Sequence, residues 1–359
     1  MKLCEILDEL ELARLVEQRY ISERRHPALP LRILNYTPRT QFDRYWTTET
    51  ELCRGLIVHD DGTIVGRSFR KFFNLGEIPG QALPDEPFVA YQKLDGCLGI
   101  SYIDADGLPS LATRGSFTSF QARRGTDVLR RLYPDALAWL VAHPTITLCF
   151  EIILPEYRIV VDYQGREDVV LLAGFDIETG QEIDVRGEPF TAMFPLAQTW
   201  PAASVAEALD LIEGPLFDGE EGVVVRFQSG LRLKLKRGEY IQLHRLVTGL
   251  TPRRIWEMLK DSSPLIGRLF AGTPAGFQAW AQERIDVIQD RHDAIVAGAQ
   301  DEYARIVATS PSDRKTFALE AAKHPHSAII FRLYDQKPYD EIAWKLVRPV
   351  ADDPYRVEV

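Results

Sequence analysis

The 359-residue chain is short of cysteine, of histidine in pairs, of positive charge and of long apolar runs, and each shortage excludes something. Cys4, Cys53, Cys97 and Cys149 show no paired spacing, which excludes a zinc site or disulfide framework and leaves buried thiols. The seven histidines are dispersed without ligand spacing. No apolar run is long enough to cross a bilayer. The opening Met1-Lys2-Leu3-Cys4-Glu5 lacks the basic and apolar regions of a secretion signal, so a cytoplasmic location is expected. With 42 Lys and Arg against 52 Asp and Glu, the net charge of −10 argues against gripping long nucleic acid by bulk charge, although a local basic groove is compatible with it. What is present is an ordinary globular composition, 45% hydrophobic and 26% charged, with length enough for two domains.

Leu3, Ile6, Leu7, Leu10, Leu15 and Val16 have helical spacing, and Leu31 to Tyr36 reads as a first strand. Four strand-turn-strand patterns follow, turning at Asp61-Gly62, Asp106-Gly107, Thr179-Gly180 and Ser229-Gly230, and they predict antiparallel sheets rather than a doubly wound parallel one. Thr118 to about His143 reads as a helix and Thr145 to Ile153 as a strand. Beyond Leu250 the pattern turns helical to about Val347, with Thr251-Pro252 and Thr273-Pro274 as helix starts, so a boundary is expected near residue 250.

Chemistry concentrates in a few places. Lys93-Leu94-Asp95-Gly96 heads an apolar run, and an unprotonated lysine amine attacks phosphorus or carbonyl carbon readily. With a reference pKa of about 10.4, only roughly one lysine in a few thousand is neutral at pH 7, so such a role needs burial or nearby cations. Taken alone, the same residues are also an ordinary turn with a solvated lysine. Glu151 interrupts the apolar run Leu148 to Leu154, either facing a groove or pointing to solvent. Glu221 stands just ahead of the strand Val223 to Arg226. Alternation then puts Leu231, Leu233 and Leu235 on one face and Arg232, Lys234 and Lys236 on the other, a solvated face or a phosphate-facing row.

In chain order, Arg54-Gly55, Lys71-Phe72-Phe73-Asn74, Lys93-Leu94-Asp95-Gly96, Phe150-Glu151, Phe175-Asp176, Glu221-Gly222 and Lys234-Leu235-Lys236 resemble the motifs of the covalent nucleotidyltransferase superfamily. More narrowly, Lys-Phe-Phe-Asn, Arg158 to Gln164, Glu178-Thr179-Gly180, Tyr240 and Leu243-His244 resemble the ATP-dependent RNA ligases typified by the type-one ligase of T-even bacteriophages. This resemblance implies an α+β chain: an antiparallel-sheet, ATP-grasp-like nucleotidyltransferase domain over residues 1–248, then an all-α domain over 249–359 with a role in RNA specificity. It implies ATP and Mg2+ or Mn2+, and the joining of RNA 5′-phosphate and 3′-hydroxyl ends, cleaved tRNA among them, through a lysyl-AMP and an adenylylated RNA end. Lys93 would be the nucleophile. Lys234 and Lys236 would grip the α-phosphate and depress the pKa of Lys93. Arg54, Lys71, Asp95, Gly96, Arg114, Glu151 and Glu221 would bind ATP, the two glutamates also organising metal through water. Phe175 is an adenine-stacking candidate that alternation could equally turn into the core. A DNA ligase or capping-type enzyme shares the motif order but normally ends in a small β-barrel, and a non-catalytic nucleotide- or RNA-binding homologue is the other alternative.

Overall fold

The computed structural model describes residues 1–270, 272–309 and 313–355. Two compact units divide it, the first spanning Met1–Ile241 and the second beginning at Gln242. The division falls inside the helix Gly238–Gly249, a few residues ahead of the expected boundary.

The first unit holds three sheets. Strands Ile21–Arg25, Leu31–Tyr36, Arg54–His59 and Ile64–Gly66 form one in sequence order. The second runs Glu182–Ile183, Asp168–Asp176, Ile146–Ile153, Cys97–Ile103, Pro109–Thr113. The third runs Thr199–Trp200, Phe88–Gln92, Gly222–Phe227, Arg232–Lys236, Phe73–Asn74. All pairings are antiparallel, as the hairpins predict, except that of the short Phe73–Asn74 with Arg232–Lys236. The expected helix after Thr118 is two helices, Phe120–Leu132 and Pro134–Ala142. Pro134 has no N–H to continue the ladder, so the chain restarts with proline in the first turn.

Alternation decides what each sheet face does. Leu148, Phe150 and Ile152 pack beneath those helices with Leu111, Val128 and Leu129, which sends Cys149, Glu151 and Ile153 to the opposite face. Likewise Val223, Val225, Leu233 and Leu235 pack with Ala208 and Ile212 of the helix Val205–Glu213, so Arg232, Lys234 and Lys236 face the other way.

The second unit carries no strand among its described residues. The 35-residue helix Ala275–Thr309 runs through it, with Phe277, Ala281, Ile285 and Ile288 in one core and Ala299 and Ile306 in another. Thr251 caps the helix Pro252–Lys260 by accepting the Arg254 N–H at 3.2 Å, with Pro252 in its first turn.

Candidate active site

Lys93 follows the last residue of the strand Phe88–Gln92, and Glu221 precedes the first residue of Gly222–Phe227. Those strands are antiparallel, with Val223 opposite Gln92, so the end of one meets the start of the other. The Lys93 amide donates to the Gly222 carbonyl at 2.9 Å. Lys236 lies opposite Gly222 on the next strand. Three residues distant in sequence therefore share one sheet end. Gly222 sits at φ 139°, and a Cβ there would stand 2.1 Å from the Leu235 carbonyl oxygen, so only glycine lets the strands close next to Glu221.

Residues 93–96 cross from the third sheet to the second, ending where Leu98 pairs with Glu151. The Gly96 amide donates to Glu151 Oε1 at 2.9 Å, and a Cβ on Gly96 would lie 2.4 Å from the Ile152 carbonyl oxygen. Glu151 thus faces the crossing, not solvent.

A cavity of about 660 Å³ opens among the three sheets. Arg54, Phe72, Lys93, Arg114, Glu151 and Lys234 are among its lining residues, as is the backbone of Gly96. Behind the lining residue Lys93, Glu221 is a bridge: Oε2 accepts from Lys93 Nζ at 2.7 Å, and Oε1 pairs with Lys236 Nζ at 2.7 Å. Glu221 is only 2% exposed. Burial pushes its carboxyl up, but the two lysines outweigh this and hold it below the usual range.

Lys93 corrects an expectation. Burial works to lower its pKa, yet Glu221, Glu151 and Asp95 overcome burial and raise it above the ordinary lysine value. The depression falls on Lys234 instead, which burial, then Arg54, Lys71, Lys93 and Lys236, push down to about 6. The row of three cations is therefore not uniform. Arg232 is neutralised by Glu182 at 2.5 Å and Lys236 by Glu221, whereas Lys234 has no carboxylate within 4 Å among the described residues and Glu77 acts on it only from farther away. Lys234 lies over the Phe72 ring at 4.6 Å, with the Arg54 guanidinium 5.4 Å from that ring. Burial lowers the pKa of Arg54 too, and its Nη1 is covered without a hydrogen-bond partner. Glu151, buried near Lys93, is pushed up to about 7 by burial despite that lysine.

Four candidates, Glu221, Lys236, Asp95 and Lys71, are not among the cavity-lining residues. Lys71 is buried. Its Nζ lies 4.2 Å from the Phe73 ring and 4.9 Å from Trp46, with Glu77 at 3.6 Å. Asp95 turns its carboxylate away from the cavity: Oδ2 accepts from the amides of Val160 and Val161 at 2.8 and 2.9 Å, and Oδ1 accepts from the Tyr240 hydroxyl at 2.8 Å. Arg114 donates to the Tyr36 hydroxyl at 2.7 Å on the cavity wall. Phe175 belongs to the core, edge-to-face with Phe69 at 5.3 Å.

Sequence reasoning missed Glu182, whose carboxylate holds Arg226 and Arg232, and the Tyr163 hydroxyl, which accepts the Asp95 amide at 2.7 Å. Glu182 is in principle visible as a charge pairing opposite Phe175. Tyr163 lies in a loop and has no periodic signal.

Antiparallel sheets thus surround a lysine-bearing cavity, and a helical region follows in sequence. The model of the RNA ligase family matches residues 52–240, more than half of the chain, and the chain belongs to that family. A Thermovibrio ammonificans protein described as "Putative RNA ligase" is 31% identical over 202 residues, covering 53% of this chain and 51% of that protein. The chain thus spans about half the length of the curated relative it matches. Among solved structures, an archaeal ATP-dependent RNA ligase is similar at TM-score 0.47 and 16% identity, over 80% of this chain and 79% of that one. A mutant Naegleria gruberi RNA ligase with ATP and Mn is similar at TM-score 0.35 and 18% identity, over 45% and 52%.

Proposed function

We propose that the chain is an ATP-dependent RNA ligase that joins RNA 5′-phosphate and 3′-hydroxyl ends through AMP carried on Lys93. The observation that carries this reading is the unequal pairing of the cations: Lys93 is held by Glu221, whereas Arg54 and Lys234 have no carboxylate within 4 Å among the described residues. Cations that lack an anion of their own are a fitted site for one, and a triphosphate supplies it.

Phosphoryl transfer needs alignment and charge neutralisation more than covalent help. Lys234 and Arg54 draw the phosphates into the cavity and spread their charge, and Arg114 adds a third cation. Glu221 Oε2, at 2.7 Å, is the acceptor available for the Lys93 ammonium proton. The freed amine forms an N–P bond to the α-phosphorus as the P–O bond to pyrophosphate breaks. In the later steps AMP passes to the RNA 5′-phosphate, and the 3′-hydroxyl displaces it. Gly96 and Glu151 hold the lysine loop against the second sheet, and Asp95 anchors it from behind.

No three His, Cys, Asp or Glu side chains converge as a metal cluster among the described residues. Glu151, which lines the cavity, would hold a magnesium or manganese ion mainly through water, offsetting triphosphate charge, whereas both oxygens of Glu221 are taken by Lys93 and Lys236. The resemblance supports broken RNA, cleaved tRNA included, as the substrate, with the helical unit in RNA specificity. No helix among the described residues is long and apolar enough to cross a membrane. All four cysteines are free thiols, which fits action in the reducing cytoplasm.

The test is joining itself. With ATP and magnesium, a 5′-labelled RNA should become resistant to phosphatase as its end is sealed, and GTP should not substitute. Sealing of DNA ends in preference to RNA ends would contradict the substrate class. No sealing by folded protein would favour the non-catalytic alternative.

A further inference from the structure

We infer that Tyr163 is a positioning residue for Lys93, acting through the two residues that follow the lysine; the inference rests on the ligase reading above. Lys93 is the first of four residues that cross between sheets, and such a crossing has no strand ladder to fix it. Its fixed points are few. The Lys93 amide is held by Gly222, and the Gly96 amide by Glu151. Between them, the Asp95 amide donates to the Tyr163 hydroxyl at 2.7 Å. The Tyr163 ring also packs against the cluster formed by buried Leu94, Ile153, Val170 and Ala197. One side chain thus holds Leu94 by apolar contact and Asp95 by hydrogen bond.

The loop that bears Tyr163 is tied to the same aspartate. Asp95 Oδ2 takes the amides of Val160 and Val161, three and two residues before Tyr163. Amide and carboxylate of Asp95 therefore grip one loop at two points, which fixes both the position of the residue and its orientation. Tyr163 is not among the cavity-lining residues, so its effect on Lys93 must pass through the backbone. Removing the hydroxyl alone would leave a covered N–H unpaired and let the crossing relax, and a displacement of about 1 Å at a nucleophile can lower a rate roughly a hundredfold.

The experiment compares full-length wild type with Y163F, following AMP transfer to Lys93 by quenched intact-mass measurement across ATP concentrations. The maximal rate should fall about ten- to a hundredfold, while the half-saturating ATP concentration changes less than about threefold. A maximal rate within about twofold of wild type, or a loss seen only as weaker ATP saturation, overturns the inference. If wild type transfers AMP normally, either result leaves the ligase reading intact; a wild type that takes no AMP overturns both. Should Y163F fail to fold, amide exchange in wild type decides. The Asp95 amide should be strongly protected, and exchange at the rate of an exposed amide overturns the inference.

Discussion

Two lysines that line the cavity stand in opposite electrical circumstances. Lys93 stands between carboxylates and its pKa is raised, whereas Lys234 stands among cations and its pKa falls to about 6. Both are partly buried, so burial does not separate them; the nearest charges do. An amine held by a carboxylate is positioned and protonated until its partner releases it. An amine crowded by cations is poised to take an anion, since an incoming phosphate relieves the repulsion. In the proposed reading the same residue type would serve as nucleophile in one setting and as phosphate contact in the other.

The largest expected effect comes from removing the first lysine. Lys93→Ala should abolish AMP transfer by intact mass while the protein stays folded, and retained transfer would refute the nucleophile assignment. Lys234→Ala should slow transfer by at least about a hundredfold, and a near-normal rate would show that Lys234 does not serve phosphate.

Stability against pH should separate the two settings by sign. For Lys234 the folded pKa lies below the unfolded value of about 10.4, so the folded state binds fewer protons between about pH 6 and 10. Its penalty is fullest below pH 6 and shrinks as pH rises. K234M should therefore melt above wild type by a margin that is largest near pH 5 to 6 and narrows toward pH 9. Glu221 has a folded pKa below its unfolded value, so its contribution is present above the unfolded pKa and lost as pH falls through the folded one. E221Q should melt below wild type at pH 7, with the gap closing in acid. A margin independent of pH in either variant would contradict the charge assignment. The smallest effect belongs to E182Q, which weakens the tie on Arg232 and should shift ATP saturation by no more than a few-fold.

Much of this was legible because it depends on alternation and order. The strand Leu31–Tyr36 lies where its pattern predicts, and the Leu and Lys faces of Arg232–Lys236 divide as period two demands. The antiparallel hairpins brought the Glu221-Gly222 segment toward the lysine rows. The charged strand Ile21–Arg25 was missed because its sequence offers no apolar face. The sign of the Lys93 shift was missed for a different reason: sequence shows that cations and carboxylates gather, but only distance decides which lies 2.7 Å from the amine. The inward turn of the Asp95 carboxylate was equally hidden, since two of its three partners are backbone amides that any residue supplies.

The most direct measurement is peptide mass spectrometry after the purified protein, first stripped of any AMP with pyrophosphate, is incubated with magnesium and ATP. The account predicts one AMP, on Lys93, with ATP and not with GTP. AMP on Lys234 or elsewhere, or none on folded protein, would contradict it.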